Sequence, residues 1–146
     1  MQIETSHLGV LEYNESNVIN FMDGLPGFED YHKFIIVLSN DAELPFHYLQ
    51  SVEKDEIAFI ITDPFLFVNN YDFNLSEEIV SKLEIESVQD ISVYTITTIP
   101  DDVEKTSINI AAPCIVNNKN NLAKQVIVPE IPTVKYFIFD KGAASC

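Results

Sequence analysis

Phe34-Ile35-Ile36-Val37-Leu38, Phe46-His47-Tyr48-Leu49-Gln50-Ser51-Val52 and Ile57-Ala58-Phe59-Ile60-Ile61-Thr62 follow one another with only short polar stretches between them. β-branched and aromatic side chains dominate all three, the residue types that pack well on a pleated surface. The first and third carry aliphatic residues at consecutive positions, which predicts strands covered on both faces. Nothing between them is long enough for the helix of a parallel crossover, so the pairing is expected to be mainly antiparallel.

The same pattern extends in both directions. Gln2 to Thr5, Val10 to Tyr13 and Val18 to Phe21 precede it; Ile91 to Ile99, Ser107 to Val116, Lys124 to Val128 and Tyr136 to Phe139 follow it. Asn117 to Leu122 is a polar loop of hairpin length. In Ile91-Ser92-Val93-Tyr94-Thr95-Ile96-Thr97 the apolar parity changes, which predicts a bulge or a face switch near Tyr94 and Thr95. One short helix is expected after Ser76, with Ser76 as cap, Glu77 and Glu78 at the positive end of the dipole, and Ile79, Val80 and Leu83 on one face. Two turns of helix do not stand alone in water, so this one is expected to cover one end or one open side of the sheet system. The expected fold is all-β, mainly antiparallel, a barrel or sandwich in a single domain over residues 1–140 with one or two short helices. Residues 141–146 are expected to form a frayed tail.

The 146 residues hold 23 acidic side chains against eight lysines and no arginine, a net charge of -15, while 47% of them are hydrophobic. The apolar fraction is high enough to build a core. The charge opposes nucleic acid and anionic membranes, because phosphate tracking needs a basic stripe and base-edge recognition commonly uses the arginine fork. A cationic protein partner fits instead, although acidity also serves plain solubility. No apolar run approaches the ~18 residues of a spanning helix, and Met1 to Leu11 does not read as a leader, so the expected location is cytoplasmic.

Reactive constellations are sparse. His7, His32 and His47 lie in different segments, and none has a second His or Cys at ligand spacing, so no metal site is expected. Cys114 sits in an apolar run and reads as core; Cys146 is the last residue. There is no Gly-x-Ser-x-Gly elbow. Asp23-Gly24-Leu25-Pro26-Gly27 lacks the spacing and the lysine of a phosphate loop, and the acids Asp23, Glu29, Asp30, Asp101 and Asp102 do not follow a calcium-loop spacing. No cofactor is expected. Pro26-Gly27 is a type II turn signature that brings Leu25 close to Phe28. Asp63-Pro64-Phe65 ends a buried strand, and Tyr71-Asp72-Phe73 alternates so that Asp72 faces outward.

Gly24-Leu25-Pro26-Gly27-Phe28-Glu29, Leu49-Gln50-Ser51, Ala58-Phe59, Asp63-Pro64 with Tyr71-Asp72-Phe73, Asn109-Ile110-Ala111-Ala112-Pro113 with Val116-Asn117, and Lys124-Gln125-Val126-Ile127 stand in one order along residues 2 to 128. In that order and spacing they resemble the bacterial flagellar assembly factor FliW family. The resemblance implies a non-enzymatic regulator with a small antiparallel β-barrel-like fold. It implies two partners: the translational repressor CsrA, whose block on flagellin mRNA is relieved, and flagellin itself, in a partner switch. A chain at -15 would be drawn to the basic RNA-binding surface of CsrA.

Among the matched positions, Gly24, Pro26 and Gly27 read as turn architecture and Ala58 and Phe59 as core. Glu29, Gln50, Asp72, Asn109, Asn117 and Gln125 are costly to bury unpaired, so each either satisfies backbone groups or faces a partner. With Phe28 as an exposed apolar anchor, these seven are the candidate partner-binding residues. Two other readings stand beside this one: a small acidic hydrolase using His47 or His32 with carboxylates, and a flagellin chaperone without a link to CsrA.

Overall fold

The computed structural model describes residues 1–6, 8–38, 46–68, 71–132 and 134–139. His7, Ser39 and the tail 141–146 lie outside the described residues. The described residues form eleven strands: β1 (Gln2–Thr5), β2 (Gly9–Glu12), β3 (Ile19–Phe21), β4 (Lys33–Leu38), β5 (Phe46–Ser51), β6 (Ala58–Thr62), β7 (Ile91–Thr98), β8 (Ser107–Ile108), β9 (Cys114–Asn117), β10 (Leu122–Gln125) and β11 (Tyr136–Phe137). Among the described residues one α-helix, α1 (Glu77–Lys82), lies between β6 and β7.

The three central segments of the sequence form the continuous meander β4-β5-β6-β7. β4 continues through β3 to β10 and β9, and β9 pairs with β7, so β3, β4, β5, β6, β7, β9 and β10 close into a seven-stranded barrel. Every pair in the ring is antiparallel except β3 with β10, which is parallel. β8 and β11 form a spur on β7, and β1 with β2 forms a separate hairpin. The β7–β9 pairing joins the two ends of the ring and leaves less unpaired edge than an open sheet of this size would present.

The barrel interior is filled by Ile19, Phe21, Leu25, Phe34, Leu49, Ile61, Cys114, Val116 and Ala123. Phe21 and Phe34 meet edge to face at 5.5 Å, an arrangement that adds to the burial of both rings. α1 covers the outside: its Ile79 and Leu83 pack on Ile115 of β9, with Ile91 and Val93 of β7 alongside. The Ser76 hydroxyl accepts from the Ile79 N–H at 3.2 Å, as the capping sequence predicts, and Glu84 at φ 56° ends the helix.

That second covering layer explains the changed parity in β7. Ile91 and Val93 point outward under α1, while Tyr94 and Ile96 pack on the barrel core. The strand alternates without a break, and both of its faces are apolar at different points along its length. The irregularity lies opposite, where Ser107 to Val116 was expected as one strand. It is two: β8 pairs Ile108 with Thr97, β9 pairs Cys114 with Tyr94, and the five residues Asn109 to Pro113 bulge out against only two on β7. Pro113 has no N–H to give to a ladder, and Asn109 closes a local turn by accepting the Ala111 N–H on Oδ1 at 3.1 Å.

Candidate functional site

The turn predicted at Pro26-Gly27 forms as expected. The Phe28 N–H donates to the Leu25 carbonyl at 2.7 Å, and Gly27 takes φ +84°. Leu25 is 2% exposed and plugs the barrel; Phe28 stays 36% exposed and lies edge-on against Phe59 at 5.3 Å. Glu29 is exposed beside it. At the start of the loop Asp23 is pinned by two cations: Oδ2 accepts from Lys124 of β10 and, at 2.6 Å, from Lys82 of α1. These two hydrogen bonds hold the Asp23 carboxyl at about 2, below its ordinary 3.8, and the triad ties loop, helix and barrel together. In the sequence Asp23 is only an acid beside a glycine-containing turn, because both lysines come from distant segments. Among the described residues, no group of three or more His, Cys, Asp or Glu is placed to hold a metal ion.

The candidate polar residues separate into two groups. Gln50 is fully buried, and its Nε2 donates to the carbonyls of Ser51, Asp55 and Ile57 at 3.0, 3.2 and 3.2 Å, closing the β5–β6 turn from inside. Asn117 is 1% exposed; its Nδ2 donates to the carbonyls of Leu83 at 2.8 Å and Glu84 at 3.1 Å, and its Oδ1 accepts from the Lys119 N–H. It therefore satisfies the end of α1, where carbonyls have no intrahelical donor. Gln125 donates through Nε2 to Ala112 in the bulge at 3.0 Å, beside the Asn109 turn. These four side chains serve backbone groups, and Gln50 and Asn117 offer a partner no surface. Phe28, Glu29 and Asp72 are the exposed members of the set.

Asp72 lines a groove of about 620 Å³ between β7, α1 and the run Tyr71-Asp72-Phe73-Asn74-Leu75. Its walls are largely apolar, with Phe73, Leu75, Val80, Ile85 and Val93 among the lining residues, and Phe65 and Val88 stand at it 53% and 78% exposed. Asp63 and Asp72 are the charged residues of the lining, and no lysine accompanies them. Tyr71 anchors the rear wall: its hydroxyl donates to the Ile110 carbonyl of the bulge at 2.6 Å, and burial pushes the phenol up to about 12. The alternation that placed Asp72 outward was legible, but nothing in the sequence pointed to Asp63, Val88 and Val93 as its neighbours.

Neither histidine within the described residues lines this groove. His32 Nδ1 lies 2.8 Å from the Phe21 carbonyl, and Glu53 accepts from the backbone N–H groups of His32 and Lys33, which hold its carboxyl below the ordinary value. His47 sits in β5 with a buried Nδ1 that has no hydrogen-bond partner among the described residues. Cys114 is wholly buried in the core, where loss of solvent pushes its thiol up to about 12.

A family model described as FliW protein matches residues 2–137, nearly the entire described chain. The chain belongs to the FliW family. It is 42% identical over 142 residues to the flagellar assembly factor FliW of Alkaliphilus metalliredigens, covering 97% of this chain and 88% of that one. It is 44% identical over 128 residues to that of Thermoanaerobacter pseudethanolicus, covering 88% and 85%. A crystal structure of the flagellar assembly factor FliW superposes with a TM-score of 0.87 at 31% identity, covering 95% of this chain and 97% of that one. The closed barrel with its single described helix is thus a FliW fold. The family match also runs past Val128, where the sequence motifs stop, to include the spur strand β11.

Proposed function

We propose that this chain is a cytoplasmic flagellar assembly factor that works by binding proteins and not by catalysis. In this reading it antagonises the translational regulator CsrA, relieving repression of flagellin mRNA, and it binds flagellin in a partner switch. Free flagellin would then occupy the protein, release CsrA and stop its own synthesis. Membership of the FliW family supports the flagellar role.

The observation that carries the choice of partner is charge left uncompensated at the surface. The chain has 23 acids and eight lysines, and ion pairs among the described residues engage only Asp23, Glu86 and Asp90. Such a field raises the encounter rate with a basic protein and repels RNA from the same neighbourhood. Phe28, Glu29 and Asp72 are the contact residues the proposal uses.

Calorimetric titration with purified CsrA at two salt concentrations, repeated after saturation with flagellin, tests the reading. Screening shortens from ~10 Å at 0.1 M salt to ~3 Å at 1 M, so binding should weaken with salt, and it should vanish with flagellin bound. Absence of CsrA binding in both buffers would remove the regulatory claim.

A further inference from the structure

We propose that the groove beside β7 accepts an extended segment of a partner protein as an added β-strand, an apolar peptide carrying lysine or arginine. The inference rests on the protein-binding reading above and specifies how one such contact is made.

The barrel is closed unevenly at β7. β6 reaches it only at residues 95–97, because Asp63-Pro64 turns the chain into a 3-10 turn, Pro64–Leu66. Residues 91–94 are paired on the other edge alone, with β9. The direction of each backbone group follows from two bonds: the Asn118 N–H donates to the Asp90 carbonyl, and the Asn109 N–H donates to the Ile96 carbonyl. Even-numbered residues of β7 therefore address β9 and the bulge, and Val93 directs its N–H and C=O the opposite way. Continuing the β6 register would set Pro64 across from Val93, and proline has no N–H to offer. Outside the ladders, no backbone hydrogen bond of Val93 occurs among the described residues.

The facing wall has the same property. Residues 71–75 form no backbone–backbone hydrogen bond among the described residues. All four of Ile91, Ser92, Val93 and Tyr94 line the groove, although successive side chains of a strand point to opposite faces. An open strand edge presents both sets at once. A partner strand would pair with Val93, set alternate apolar side chains on the walls, and place a cation near Asp63 and Asp72, which have no lysine beside them in the lining. An amphipathic helix satisfies its own backbone and would leave the Val93 edge unused.

The test is an NMR titration of the 15N-labelled full chain with the synthetic peptide acetyl-Lys-Val-Thr-Val-Lys-Val-amide. Two analogues are N-methylated singly at its third and fourth residues, and a third carries glutamate for lysine. Shifts centred on Ser92 to Tyr94 and Tyr71 to Leu75 are expected, with exchange of the Val93 amide slowed at least ten-fold. One methylated analogue and the glutamate peptide should each bind at least ten-fold more weakly. Equal binding of both methylated analogues, shifts centred elsewhere, or no shifts at millimolar peptide would overturn strand addition. Peptide failure with CsrA binding intact overturns the groove alone; loss of CsrA binding with peptide binding intact overturns the regulatory reading alone.

Discussion

Tyr71 and Ile110, 39 residues apart in sequence, meet where the Tyr71 hydroxyl donates to the Ile110 carbonyl at 2.6 Å, both groups buried. The bond holds the wall of the groove against the bulge between β8 and β9. Tyr71→Phe removes the donor and keeps the ring, leaving a buried carbonyl without its partner. A loss of about 1–3 kcal/mol is expected in urea denaturation. A change below about 0.5 kcal/mol would mean that the bond contributes little to holding the bulge.

Asn117 binds the terminal carbonyls of α1 from the barrel wall. Asn117→Ala removes three hydrogen bonds at once and strands the Glu84 carbonyl, while the Leu83 carbonyl keeps the Asn120 Nδ2 donor at 3.1 Å. We expect about 1–3 kcal/mol of destabilisation, and faster amide exchange in 77–83 than in β4 to β6, because the part-buried Glu84 carbonyl and Lys119 N–H lose their partner together. Uniform exchange across helix and barrel would show instead that α1 has no separate opening.

Gly24 and Gly27 both have positive φ, +67° and +84°, but differ in space. A Cβ on Gly27 meets nothing within 4 Å, whereas one on Gly24 would stand 2.7 Å from the Glu29 Cα. Gly27→Ala should cost about 1–2 kcal/mol, the strain of a left-handed alanine. Gly24→Ala should lower the melting temperature further, since backbone must move as well. Equal shifts in thermal denaturation would sink the distinction.

Asp23 links stability to acid. Its folded value of about 2 lies below the ordinary 3.8, so the triad's contribution is complete above about pH 4 and is lost as pH falls through 2. Asp23→Asn should flatten the stability curve between pH 4 and pH 2 and reduce its sensitivity to salt. The carboxylate is nearly half exposed, so solvent screening keeps the effect modest. An unchanged acid profile would separate the triad from stability.

The residues that were legible in sequence are those whose reading depends on near neighbours. The β4-β5-β6 meander, the Ser76 cap with its short helix, and the Pro26-Gly27 turn each follow from propensity, alternation or local hydrogen bonding within a few positions. The role of Gln50 was not legible, because a glutamine on a strand reads the same whether it faces a partner or closes a turn. The parity change in β7 was visible, but its cause was the arrival of α1 over Ile91 and Val93, a contact between distant segments.

Sequence alone thus determined an acidic, β-rich chain with one short helix and motifs of the FliW family, because composition, periodicity and motif order are local or additive properties. Tertiary structure decided which polar residues turn inward, where the bulge sits, that Asp23 meets two lysines, and that Val93 has no described backbone partner on the side of β7 away from β9. Those facts depend on barrel closure, which sets residues tens of positions apart within hydrogen-bond distance and leaves no trace in their spacing.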